Sequence, residues 1–304
     1  MRAAVITAPG PTATLRVAEV PDPRAGPGEV RVRVRAAGVQ PVDTAVAAGW
    51  APPGVTPRYP QAPGNEFAGV VDQVGEGVTG FSVGDEVLGW RMLSCYAELV
   101  VAPADQVVAK PAGMPWEVAG GLSGAGQTAY TALRELGVGR GDTVLVHGAA
   151  GGVGTVAVQL ARLWGATVIG TASEANHEHL RSLGAVPVRY GEGLVERVRA
   201  VAPNGVDAAL DAAGEDALRA SVELVADRNR IGTLVAFGLH EELGVRAIRG
   251  QRGAERLAEL AELWEKGLLR ISVRRTYPLE RAADAHGEIT SGHGRGKIVL
   301  VVGS

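Results

Sequence analysis

The sequence is nearly devoid of cysteine: Cys95 is its single thiol. One thiol forms no internal disulfide, and alone it cannot build a thiolate zinc site. Long apolar runs are missing too. No stretch approaches the roughly 18 consecutive apolar residues of a membrane span. The opening Met1-Arg2-Ala3-Ala4-Val5-Ile6 is strand-like and lacks the apolar core of a secretion signal. Nor is charge of one sign in excess. A formal net charge of −3 gives no electrostatic reason to expect nucleic acid or an anionic membrane as partner. No internal repeat, collagen-like period or low-complexity tract is present. These absences lead to the expectation of a soluble, cytoplasmic protein.

What is present points to an enzyme-sized α/β chain. At 304 residues the chain exceeds one average domain, so two domains are expected. Hydrophobic residues make up 46%, enough for sizeable cores. The 43 glycines suit tight turns and close backbone approach to a ligand. Residues 30–36 alternate valine with arginine, the mark of a half-buried strand. Short apolar runs at 67–71, 86–88 and 96–101 follow, separated by Gly75-Glu76-Gly77 and Val83-Gly84-Asp85. Such spacing suggests a small barrel or sandwich. From 116 the rhythm changes. A glycine-containing helix is expected over 116–136. Strands over 143–147, 167–171, 186–190, 206–210 and 233–237 then alternate with helices over 153–164, 174–183 and 194–201. That alternation implies βαβ units and a parallel sheet. The final apolar run, 297–302, is a strand that can return to the first domain.

The most informative segment is Val144-Leu145-Val146-His147-Gly148-Ala149-Ala150-Gly151-Gly152-Val153-Gly154. A buried strand ends in a glycine-rich turn and an apolar helix begins. This is the dinucleotide fingerprint with Ala149 in place of its first glycine. Gly151 lets the backbone approach a pyrophosphate, and Gly154 lets the helix pack on the strand. Ala150, Gly151, Gly152, Val153 and Gly154 are therefore the candidate phosphate cradle, with the free N–H groups of the first helical turn facing the anion.

The second strand of an NAD site usually ends in an acid that binds the ribose 2′-OH. Here it ends in Ala172-Ser173, which leaves room for a 2′-phosphate. Ser173 and Tyr190 can donate to it, so NADPH is the expected cofactor. Glu174 argues the other way, and is also well placed as an acid in a helix's first turn. Two further loops follow sheet strands and are expected to border the cofactor: Ala213 with Gly214, and Phe237-Gly238-Leu239.

With the blocks Ala36-Ala37-Gly38-Val39-Gln40-Pro41-Val42-Asp43 and Pro63-Gly64-Asn65-Glu66-Phe67-Ala68-Gly69-Val70-Val71, continuing through Val74-Gly75-Glu76-Gly77-Val78 to Val83-Gly84-Asp85-Glu86-Val87, the chain resembles the medium-chain dehydrogenase/reductase superfamily. It is similar to the zinc-free quinone oxidoreductase (zeta-crystallin-like) branch over essentially its whole length. The resemblance implies an α/β fold: a GroES-like, partly open β-barrel domain at 1–116 and 269–304, and a Rossmann domain with a doubly wound parallel sheet at 117–268. It also implies that the nicotinamide lies in the cleft between them.

Zinc-dependent relatives carry a cysteine and a histidine where Gln40 and Asn65 stand here, so no metal and no zinc chemistry are expected. His177, His179, His286 and His293 are read as solvated helix or loop positions. The chain departs from the branch at Gln40 (often Asn), Trp50 (often Tyr) and Asn176, where many NADP-binding relatives have lysine. Tyr59, the phenol nearest Trp50, is read as an aromatic turn residue beside two prolines. Arg295 is either a cofactor contact or a solvated loop charge.

Without a Lewis acid, reduction of a conjugated carbonyl asks least of the protein, because charge spreads onto oxygen as hydride arrives. The expected function is hydride transfer from NADPH to a quinone or α,β-unsaturated carbonyl compound. Gln40 and Thr128 are the candidate catalytic donors. Asp43 is either a substrate-orienting group or a cap, and Thr128 either a ligand contact or a helix residue bonding its own backbone. The alternatives are an enoyl-thioester reductase and a non-catalytic NADPH-binding sensor or structural protein. A homodimer is expected through sheet extension at 234–236 and 243–245.

Overall fold

The computed structural model describes residues 1–10, 15–52, 54–292 and 294–303; His293 therefore lies outside the described residues. The chain divides into two compact units. One comprises Met1–Gly124, Gly253–Glu265 and Ile271–Ser304, and the other Ala125–Arg252 and Lys266–Arg270. The first unit opens with β1 (Arg2–Ile6), β2 (Leu15–Glu19), β3 (Glu29–Val39), α1 (Pro41–Ala47), β4 (Phe67–Val74), β5 (Glu86–Gly89), β6 (Leu99–Pro103) and β7 (Val107–Ala109). Helix α2 (Trp116–Glu135) leads into the second unit. There follow β8 (Thr143–Val146), α3 (Gly152–Leu163), β9 (Thr167–Ala172), α4 (His177–Ser182), β10 (Val186–Arg189), α5 (Leu194–Val201), β11 (Ala208–Asp211), α6 (Glu215–Leu224), β12 (Ile231–Thr233), α7 (His240–Leu243) and β13 (Arg246–Ala247). The chain returns through α8 (Ala254–Glu265), β14 (Val273–Pro278), α9 (Ala282–Thr290) and β15 (Lys297–Val301).

In the first unit the main sheet runs β14-β15-β3-β4-β5-β7, with β6 also on β3, and β1 pairs β2 separately. The path does not close on itself, so this is an open barrel-like sheet. The alternation expected of 30–36 is realised in β3. Val30, Val32 and Val34 are buried. Arg31 and Arg33 face outward and share Asp72 at 2.8 and 3.1 Å. Phe67, Ile298 and Leu300 are fully buried in the core of this unit. Each contributes roughly 1.5–3 kcal/mol by leaving water. Helix α2 tolerates its glycines because they are contact points. A Cβ on Gly120 would stand 2.8 Å from the backbone of Ala36 in β3.

In the second unit the sheet order is β10-β9-β8-β11-β12-β13, parallel throughout. Counted within the unit this is 3-2-1-4-5-6, the doubly wound order, with its reversal between β8 and β11. Leu145, Ile169, Leu210 and Ile231 are buried along it. Two expectations are corrected here. The strand expected over 233–237 is Ile231–Thr233 instead. Thr233 Oγ1 accepts from the backbone N–H of Val235 at 3.1 Å and of Ala236 at 2.8 Å, which turns the chain out of the sheet. The sheet edge is accordingly the short β13, not 234–236 or 243–245. Among the described residues no helix is long and apolar enough to cross a membrane.

Candidate functional site

Open parallel sheets bind ligands outside the carboxyl ends of their strands, at the reversal of strand order. In the second unit that point is the end of β8. Gly148 turns the chain there with φ +66°. Gly151 is the N-cap of α3, and no side chain caps the helix. Its first N–H groups are therefore not taken by a capping side chain. Ala150 is buried, while Gly151, Gly152 and Val153 are half-buried. A Cβ on Gly154 would stand 2.2 Å from the Gly148 oxygen and 2.7 Å from Ala149 Cα, so only glycine permits this turn to lie on α3. A Cβ on Gly151 would meet nothing within reach except the Gly148 oxygen at 3.2 Å. Bare amides around an open space fit the diphosphate of a dinucleotide.

Two buried groups to which the sequence alone assigns no role of their own, His147 in the fingerprint segment and Asp211 at the head of the 211–214 loop, hold this edge together. His147 has Nδ1 at 3.1 Å from Thr171 Oγ1 and Nε2 at 3.0 Å from Ser221 Oγ. Ser221 donates its own proton to the Ala217 carbonyl at 3.0 Å. His147 Nε2–H is then the donor to Ser221, and Nδ1 accepts from Thr171. Burial pushes the His147 pKa down to about 4, so the ring is neutral and joins β8 to β9 and α6. Asp211 Oδ1 accepts from the backbone N–H of Ala213 at 2.8 Å and of Gly214 at 2.9 Å. Its Oδ2 accepts from Thr233 Oγ1 at 2.7 Å. One buried acid–hydroxyl pair thus shapes two loops, 212–214 and the stretch leading to the 3₁₀ turn Phe237–Leu239. Gly238 and the Phe237 ring are exposed.

Ser173 precedes a 3₁₀ turn, and Asn176 Nδ2 donates to Ser173 Oγ at 3.1 Å. Tyr190 directly follows β10 and is exposed. Thr128 is half-buried, and its hydroxyl has no hydrogen-bond partner among the described residues. Thr131, one turn later on α2, is the threonine that bonds its own helix, through Gln127 O at 2.8 Å.

The first unit gathers a buried polar cluster around Gln40, the N-cap of α1. Gln40 Nε2 donates to Asn65 Oδ1 at 3.3 Å and to Glu66 Oε1 at 2.9 Å. Both amide hydrogens expected to reach a substrate are therefore engaged within the protein. Asp43 accepts from the Gln40 backbone N–H at 2.9 Å, Asn65 Nδ2 at 3.0 Å and the Tyr96 hydroxyl at 2.8 Å. It is both a capping group and the fixed point of the cluster. Burial raises the Asp43 pKa to about 6, against the opposing effect of these donors. Burial, with Asp43 beside it, holds the Tyr96 phenol protonated. Glu66 also accepts from the Gly124 N–H at 2.6 Å and pairs with Lys297 Nζ at 2.8 Å.

This donor set does not fit zinc. Gln40 and Asn65 present amides bonded to each other. Gln40 Nε2 occupies the space beside Gly124, 1.6 Å from where a Cβ would stand. No group of three or more His, Cys, Asp or Glu suited to a metal occurs among the described residues. His286 is not solvated but fully buried, edge-on to the Tyr96 ring at 5.7 Å. His177 and His179 are half-buried. Trp50, Tyr59 and Arg295 are exposed.

Residues 26–135 match the family described as Alcohol dehydrogenase GroES-like domain, and residues 183–300 match the Zinc-binding dehydrogenase family. The chain is 35% identical to a 2-haloacrylate reductase of Burkholderia sp, covering 91% of each chain. It is 34% identical to a quinone oxidoreductase of Pseudomonas aeruginosa, covering 91% of this chain and 92% of that one. It is also 35% identical to a pikromycin polyketide synthase component of Streptomyces venezuelae. That alignment covers 98% of this chain but only 8% of the synthase component. Among solved structures, the quinone oxidoreductase of Coxiella burnetii superposes with a TM-score of 0.88 at 31% identity, covering 100% of this chain and 99% of that one. An Escherichia coli quinone oxidoreductase complexed with NADPH gives 0.87 at 26% identity, covering 99% and 100%.

Proposed function

The chain belongs to the medium-chain dehydrogenase/reductase superfamily, with its quinone oxidoreductase branch, and from that premise we propose that it delivers hydride from NADPH to a quinone or an α,β-unsaturated carbonyl compound without zinc. The observation that carries this reading is the open amide cradle at Gly151–Gly154, together with a first-unit cluster that offers neither the thiolate nor the imidazole of a zinc site. The similarity to a 2-haloacrylate reductase adds support, since its named substrate carries a conjugated double bond.

Bound NADPH supplies a hydride at nicotinamide C4. The N–H groups of Gly152, Val153 and Gly154 hold the diphosphate. Asp211 and Thr233 keep the 212–214 and 234–239 loops in place beside the nucleotide. The free Thr128 hydroxyl donates to the substrate oxygen as negative charge builds there, a stabilisation absent in the ground state. Asp43 orients Asn65 and through it Gln40, whose amide hydrogens are spent within this cluster and serve to hold it rather than to donate to the substrate. Solvent supplies the proton that completes the reduction.

The test is NADPH oxidation by a panel of quinones, enones and one enoyl thioester, with a strong chelator present. Turnover of the quinones or enones is expected. Turnover of the thioester alone assigns the enzyme to enoyl-thioester reduction, a reading favoured by the polyketide synthase relative. Tight NADPH binding with no oxidation across the panel rejects catalysis. We propose a homodimer as well; light scattering at the mass of one chain rejects it.

A further inference from the structure

The corner that closes β9 and β10 carries an exposed ion pair between Arg189 and Glu174. Register sets Arg189 opposite Ala172, next to Ser173. Arg189 Nη1 lies 3.4 Å from Glu174 Oε1, and the two side chains are 65% and 72% exposed. An ion pair that exposed and that long is weakly held. A second guanidinium, Arg197, stands in the same corner but is committed. It donates to the backbone carbonyls of Arg189, Tyr190, Gly191 and Glu192. The Arg189 guanidinium has no partner among the described residues except Glu174. Asn176 bonds Ser173 and brings no charge.

We propose that Arg189 is the cation that recognises the 2′-phosphate, and that Glu174 is the anion it leaves to do so. This rests on the dinucleotide lying in the Gly151–Gly154 cradle. A 2′-phosphate carries close to two negative charges and three strong acceptor oxygens. The planar guanidinium of Arg189 can meet two of those oxygens at once, which the single carboxylate contact at 3.4 Å does not match. Ser173 and the exposed Tyr190 hydroxyl add neutral donors on either side. With NADH there is no 2′-phosphate to attract Arg189. The ion pair then stays closed, and Glu174 keeps an acceptor oxygen for the ribose 2′-OH. The two side chains form an exchangeable pair: one nucleotide opens it and the other leaves it shut. Cofactor preference is thereby set by Arg189 at the end of β10 and Glu174 in the turn that follows β9, not by a lysine at position 176.

The experiment is fluorescence titration of NADPH and NADH into wild type, Arg189→Gln and Glu174→Gln, with thermal midpoints as a folding control. Both side chains are exposed, so the midpoints are expected to hold. Arg189→Gln is expected to weaken NADPH by about 10- to 100-fold, the worth of one or two charge-assisted hydrogen bonds, and to leave NADH unchanged. Glu174→Gln is expected to tighten NADPH and weaken NADH, each by a few-fold on the order of one neutral hydrogen bond. Competition by 2′,5′-ADP should follow NADPH in every variant. If wild type binds both nucleotides and Arg189→Gln leaves their affinity ratio unchanged, this inference is overturned while the cofactor reading stands. If wild type binds neither, both are overturned.

Discussion

Replacing Lys297 with methionine probes the cluster around Gln40 through its charge. Glu66 is fully buried and Lys297 nearly so, with Nζ 2.8 Å from Glu66 Oε1. Methionine has a similar length and no charge. It leaves the Glu66 carboxylate with only the Gln40 Nε2 and Gly124 N–H donors, at 2.9 and 2.6 Å. Removing one member of a buried ion pair costs about 3–5 kcal/mol, because the remaining charge is uncompensated. For a unit of 150–250 residues each kcal/mol moves Tm by about 2–4 °C, so a fall on the order of 10 °C is expected. The double variant Glu66→Gln/Lys297→Met removes the stranded charge. Its amide oxygen can still accept from Gly124, and at least half of the lost Tm should return. Circular dichroism melts of wild type and the two variants decide it. A single variant within a degree or so of wild type, or a double variant less stable than the single, refutes the reasoning.

Three further outcomes follow from the geometry. Gly154→Ala places a Cβ against two backbone atoms that cannot swing aside, at 2.2 and 2.7 Å. The turn must shift at a cost of about 1–3 kcal/mol, and isothermal titration should show NADPH affinity falling with it. Thr233→Val removes the hydroxyl that links Asp211 to the 234–236 turn. The KM for NADPH should rise by roughly tenfold, one to two hydrogen bonds' worth, with Thr233→Ser restoring it. Stability should fall on acidification. Burial lowers His147 and His286 to about 4 in the folded protein, so the unfolded chain binds more protons between pH 6.5 and 4. Each histidine then contributes stability that is present above pH 6.5 and lost towards pH 4, by about 3 kcal/mol. Asp43, raised to about 6, opposes part of this, since its neutral form is favoured by the fold and gains weight as pH falls from 6 to 3.8. Neither ring nitrogen of His286 has a hydrogen-bond partner among the described residues, so His286→Leu should flatten the decline in urea midpoint between pH 7 and pH 5.

The parts of this molecule that were legible in the sequence are those set by local pattern. The valine–arginine alternation of β3 follows from a strand with one buried face. The glycine turn between β8 and α3 follows from the close approach that Gly154 must allow. What escaped is set by distant partners. Asp43 and Tyr96 lie 53 residues apart, and no spacing rule joins them. Asp211 carried a usable signal, as an acid ending the apolar run Ala208-Ala209-Leu210, but its link to Thr233 did not. The strand expected over 233–237 failed for the same reason: Thr233 uses its hydroxyl to turn the chain where its apolar neighbours suggested continuation. His286 was misread as solvated because a histidine in a helix is usually exposed. The small residues around it, Ala282 and Ala285, are buried with it and marked a tightly packed face.

Direct hydride delivery from nicotinamide C4 to the substrate carbon, with no need of zinc, is the step on which the proposed function stands. The most direct measurement uses NADPH deuterated at nicotinamide C4, with protein stripped by a chelator and an enone as acceptor. Mass spectrometry of the product should find the deuterium on the carbon β to the carbonyl. Deuterium found only in the nucleotide, or reduction that returns only when zinc is added, contradicts the account.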